Sequence, residues 1–157
     1  MYDLIFSHNS KTCTDPNCRC RTRRNTSSVP DNTTILSVKR ALVWDTPISR
    51  IALESALRAL FLELSQFVLI DGIVLGHLKG VLKTGTSVFS ISVTREDSID
   101  ESPNTSWASM ETVSCSDLTV NLLSIVPCEL SDNDLDVRIT AMYMQLACQE
   151  PLPPSNS

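Results

Sequence analysis

Four side chains able to hold a metal crowd into a short stretch near the start of the chain: His8, Cys13, Cys18 and Cys20. Zinc takes four nitrogen or sulfur ligands in a tetrahedron, and thiolates on a pliant segment can wrap around it. Lys11, Arg19 and Arg21 lie among them, and nearby positive charge favours the thiolate over the thiol. The C-x4-C-x-C spacing departs from the C-x2-C knuckle of ordinary zinc ribbons, and a C-x-C pair belongs more naturally to a metal cluster or a delivery segment. Zinc at these four residues is therefore one expectation, and a tail of idle thiols is its plain alternative. Cys115, Cys128 and Cys148 are expected to be small buried apolar groups, as free cysteines commonly are.

A second constellation sits in mid-chain. His77 and Lys79 are two residues apart in a segment that alternates like a strand, so both side chains leave the same face, about 7 Å apart by strand rise. Ser90, Ser92 and Thr94 follow the same alternation on the next predicted strand. Such a pair can bind an anion, or His77 can act as a general base beside a hydroxyl. Leu75 and Val81 share that face, and apolar residues on an otherwise open face point to a partner surface more than to catalysis.

The third is a basic run, Arg19, Arg21, Arg23 and Arg24, which suits an acidic protein, RNA or an anionic membrane surface. Against general nucleic-acid affinity stands a net charge of -5 over 157 residues, since phosphate binding requires clustered Lys and Arg. No Gly-rich phosphate loop, HExxH or GxSxG occurs, and the carboxylates form no recognisable acid–base pair.

These groups need elements to position them. Residues 1–33 are polar and carry no apolar periodicity, the mark of a flexible arm. Residues 150–157, rich in Pro and Ser, read as a disordered tail. Between them, 34–149 is expected to fold as one α+β domain. Thr34 to Trp44 alternates as a strand, with Leu36, Val38, Leu42 and Trp44 on one side and Arg40 the exception. Thr46 and Pro47 then read as N-cap and first residue of a helix, whose apolar stripe is Leu53, Leu57, Leu60 and Leu64 with Ala56 and Phe61 beside it.

A hairpin follows, 73–82 and 87–95, in which Gly76 and Gly80 would let a helix approach. Residues 96–116 read as a long acidic surface loop, and 118–126 as a third strand of a meander. Ser131 caps a last helix with the stripe Leu135, Ile139, Met142 and Leu146. The expected order is β-α-β-β-β-α: an antiparallel-rich, four-stranded sheet with two helices packed on one face. The α-β-β-β-α portion is topologically similar to the double-stranded-RNA-binding architecture. Such modules place basic residues at the start of the last helix, whereas this chain has Ser131-Asp132-Asn133-Asp134 there.

The start, Met-Tyr-Asp-Leu-Ile-Phe, lacks the basic n-region of an export signal. No apolar run approaches the roughly 18 residues of a membrane span, so a cytoplasmic setting with reduced thiols is expected. The functional expectation is a non-enzymatic binding or accessory protein. Its sheet face would dock a protein partner or a second copy, and its arm would hold a metal. The competing expectations are a small enzyme or anion-binding domain centred on His77 and Lys79, and a nucleic-acid adaptor using the basic arm.

Overall fold

The computed structural model describes residues 32–148. They form an α+β unit with a mostly antiparallel sheet of six strands: β1 (Thr34–Ser49), β2 (Leu69–Ile70), β3 (Ile73–Thr84), β4 (Ser87–Arg95), β5 (Ser98–Pro103) and β6 (Thr112–Ser124). Helices α1 (Arg50–Ser65) and α3 (Asp132–Ala147) accompany a single-turn helix, α2 (Thr105–Ala108). The strand order is β1-β6-β3-β4-β5, with β2 paired to β3.

The stripes of the two long helices go where their spacing requires. Leu53, Leu57, Leu60, Phe61 and Leu64 of α1, and Leu135, Ile139, Met142 and Leu146 of α3, are buried against one face of the sheet. That face presents Leu36, Leu42 and Trp44 from β1, Leu78 and Leu82 from β3, Phe89, Ile91 and Val93 from β4, and Leu118, Val120 and Leu122 from β6. Arg40 breaks the alternation of β1 because it reaches up to α3, donating to Asp136 and Thr140 at 2.8 Å each. Ser131 caps α3 in a reciprocal box with Asp134, and the hydrogen bonds from Ser131 hold the Asp134 carboxyl below its usual range.

Four corrections to the sequence reading have physical causes. First, β1 continues to Ser49, which is the true N-cap of α1 and accepts from the Ala52 amide. Pro47 lies in the register shift between Val43 and Ile48, where its missing N–H leaves no ladder bond unmade. Second, the acidic stretch after β4 is structured. Asp97 adopts φ +55°, a conformation aspartate tolerates in tight turns, and the turn at Glu96–Asp97 sends β5 back along β4. Trp107 on α2 is fully buried, stacks on Phe89 at 5.6 Å and donates its indole N–H to Glu54 of α1 at 2.7 Å.

Third, β6 closes no meander; it inserts between β1 and β3 and is hydrogen-bonded along both sides. This gives six strands and three helices in place of four and two. Fourth, the two glycines of β3 have different duties. Gly80 does admit a helix: a Cβ there would come within 2.5 Å of Phe61 Cζ. Gly76, at φ +149°, instead lies against the backbone of β6, where a Cβ would stand 1.9 Å from the Leu123 carbonyl oxygen.

Leu57→Ala should cost about 2–5 kcal/mol, the range for emptying a buried leucine site, because Leu57 is fully enclosed at mid-stripe. Urea denaturation checks this, and an unchanged midpoint would place the α1 stripe wrongly.

Candidate functional site

With both long helices on one face, no element of the described residues covers the other face of the sheet. Its side chains come from the residues that alternate with the core, and the register sets them in rows. One row runs Ser37, Asn121, Lys79, Ser92 and Asp100 across β1, β6, β3, β4 and β5. The next runs Lys39, Thr119, Val81, Ser90 and Ser102. A third holds Ala41, Asp117, Lys83 and Val88. Toward the other end Ile35, Leu123 and His77 share a row, with Ile125 beyond them bonded through its amide to the Leu75 carbonyl at 3.0 Å.

His77 and Lys79 are therefore exposed neighbours on one face, and Val81, Ser90 and Ser92 are half-buried on the same face. Thr94 is exposed at the end of the β4 alternation. Leu75 is half-buried in the stretch where β3 shifts register against β4, with its amide bonded to the Val68 carbonyl. His8, Cys13, Cys18 and Cys20, and Arg19, Arg21, Arg23 and Arg24, lie outside the described residues. Cys115 and Cys148 are exposed and Cys128 is half-buried, which corrects the expectation of three buried thiols. Cys115 sits on the open side of β6 opposite Val43. Among the described residues no group of three or more His, Cys, Asp or Glu is placed to hold a metal.

The lysines and the ion-paired arginines divide by face, although Asp100 and Asp117 also stand on the open one. Lys39, Lys79 and Lys83, the lysines of residues 32–148, all stand in the rows of the open face, and none has a carboxylate within ion-pair distance among the described residues. The arginines of the helix side are engaged: Arg40 with Asp136, Arg50 with Glu54, Arg58 with Glu101 and Arg138 with Glu63. The hydrogen bond to Glu101 also raises the affinity of the Arg58 guanidinium for its proton. Exposed apolar residues occur on both sides of the sheet, and some of them lie toward one end of this face. Ile35 is 66 % exposed, Ile73 53 % and Ile125 48 %, and Leu123 joins Ile35 to the β3 side.

Two of the clefts among the described residues flank α3, and His77 lines neither. One of about 440 Å³ lies between α1 and α3, and one of about 240 Å³ lies between the outer edge of β1 and α3. Among the described residues His77 and Lys79 thus occupy an exposed strand surface.

Sequence reasoning missed Lys39, Asn121, Thr119 and Leu123 as members of this surface because it set β6 at the margin. One signal was available. Residues 112–126 carry a single charge, Asp117, and a strand with so little charge on either side suits the middle of a sheet.

No protein-family model matches the chain, and no curated protein matches it. Among solved structures it is similar to the crystal structure of a Zn(II)-bound triple mutant of the YjiA GTPase, at 14 % identity and a TM-score of 0.37. The match covers 69 % of this chain and 29 % of that one. A superposition this loose constrains neither fold nor activity.

Gly76 holds His77 in its row by letting β3 press against β6. Gly76→Ala should destabilise the fold by at least about 2 kcal/mol, since it adds both a disfavoured dihedral and a backbone clash. Thermal unfolding measures the loss, and an unperturbed melting point would show that the Leu123 carbonyl can move aside freely.

Proposed function

We propose that this chain is a non-enzymatic binding or accessory protein whose open sheet face docks a protein partner of mixed acidic and apolar character. The observation that carries the reading is the composition of one face. Lys39, Lys79 and Lys83, without ion-pair partners among the described residues, lie beside an apolar band of exposed Ile35 and Ile125 with half-buried Leu123 between them. An acidic partner gains Coulomb attraction from the lysines, and its apolar side chains gain by covering the band. Exposed Cys115 and Cys148 fit a reducing, cytoplasmic compartment. The same proposal assigns zinc to the arm through His8, Cys13, Cys18 and Cys20, on the ligand types and the neighbouring positive charge alone.

Docking is tested with a short peptide that alternates glutamate and valine, added to the isotope-labelled full chain. Amide shifts are expected at Lys79, Val81, Thr119 and Asn121. Lys79→Glu should weaken binding by about tenfold, equivalent to about 1.4 kcal/mol, with the melting point unchanged. Shifts confined to the helix side would overturn the reading.

Metal is tested by elemental analysis of the wild-type chain and Cys18→Ser purified side by side without chelator. Near-stoichiometric zinc is expected in the wild type alone. It should be lost as pH falls below neutral, because the ligands must shed protons to bind. Trace zinc in the wild type would end the metal assignment and leave the docking face standing.

A further inference from the structure

We infer that the outer edge of β1 is where the partner enters, as an extended segment that adds a strand to the sheet. This rests on the docking reading above and adds to the face a second contact, the strand edge that borders it along the Lys39 row. Along a strand the backbone N–H and C=O groups of successive residues point to alternate sides. The Ser37 amide points away from β6, since it donates to Asp132 Oδ1 of α3 at 3.2 Å. The Val43 carbonyl does so too, since it accepts from the Tyr143 hydroxyl. Lys39 and Ala41 share their parity, so their N–H and C=O groups also face outward. Nothing among the described residues covers them. Helix α3 thus caps the edge at two places and leaves a window between them.

The two sides of that window differ in chemistry. On the open face Lys39 stands at the margin, so an added strand would set an acidic side chain beside it. On the helix side lies the cleft of about 240 Å³, walled by Leu42, Ile139, Tyr143 and Met144, with room for one apolar side chain of the same segment. Backbone pairing supplies affinity, and alternate side chains supply selectivity. The opposite edge is a poor acceptor. β5 is only six residues long, ends on Pro103 and carries Asp100 and Glu101, features that blunt a sheet edge. A second copy suits the window less well, because antiparallel pairing centred on Lys39 or Arg40 sets like charges directly across from one another.

The test uses the full chain and the glutamate–valine peptide, with two further versions methylated on alternate backbone nitrogens in opposite phase. One phase removes the N–H groups that face β1, and the other removes only those on the far side. One version should bind as the parent does and the other at least about tenfold more weakly, with hydrogen exchange at Lys39 and Ala41 slowed by the binding versions alone. Ala41→Pro should weaken the parent peptide comparably. Its lost N–H faces outward, which spares the β1–β6 ladder, and a melting curve verifies that it folds. If the variant does not fold, the methylated pair decides. Equal binding of both methylated versions, with shifts on the open face, would overturn edge pairing and leave face docking intact. No binding by any peptide would overturn both. Protection of Lys39 and Ala41 that grows with protein concentration in the absence of peptide would make a second copy the occupant and overturn the acidic segment.

Discussion

The spacing between helix and sheet is set at one contact, where the ring of Phe61 lies on a strand position that has no side chain. Any Cβ at Gly80 would collide with that ring and with Ile91, so α1 can settle at its depth only over glycine. From this depth follow the burial of Leu53, Leu57 and Leu64 and the reach of Glu54 to the indole of Trp107. Glu54 also pairs with Arg50 at 2.6 Å, and Arg50 holds the Met110 carbonyl at 2.8 Å. The segment between β5 and β6 is therefore tied to α1 by a buried aromatic and a partly buried charge, each satisfied by the other.

One face filled so completely leaves the other with nothing from the described chain to cover it. The central strand decides what stands there. Because β6 is paired on both sides, it brings β1 and β3 close enough for Lys39 and Lys79 to occupy neighbouring rows. Gly76 is what allows the β3 side of that pairing to form. The packing on both sides of β3 thus depends on two glycines of one strand, each removing a clash with a different neighbour.

Elements with strong periodicity were legible from the residues. The leucine stripe of α1, the capping box of α3 and the β3–β4 hairpin all follow from local spacing and turn chemistry. The open-face placement of His77, Lys79, Val81, Ser90 and Ser92 was legible for the same reason, since alternation along a strand is a local property. What eluded sequence reasoning was non-local. The position of β6 depends on which strands it pairs with, and alternation alone does not encode that. β5 was hidden because Ser98, Asp100, Glu101 and Ser102 are poor strand formers, and only pairing with β4 and the Arg58–Glu101 contact make the segment extended. The start of α1 was displaced because Pro47, a good first helical residue, is equally at home in a bulge.

The segregation of charge between the two sides of the sheet has a consequence for motion. The long helices carry Glu54, Glu63, Asp132, Asp134 and Asp136 against Arg50, Arg58 and Arg138, while Lys39, Lys79 and Lys83 share the opposite surface with Asp100 and Asp117. Among the described residues a small excess of negative charge on the helices thus faces a small excess of positive charge across the sheet. In the field of an approaching polyanion such an imbalance favours an orientation with the lysine side forward. At physiological salt the field decays over about 8 Å, so this reorientation belongs to the last stage of an encounter. For a partner of the kind proposed above, this bias would shorten the rotational search and raise the association rate, while the lifetime of the complex would rest on the contacts themselves.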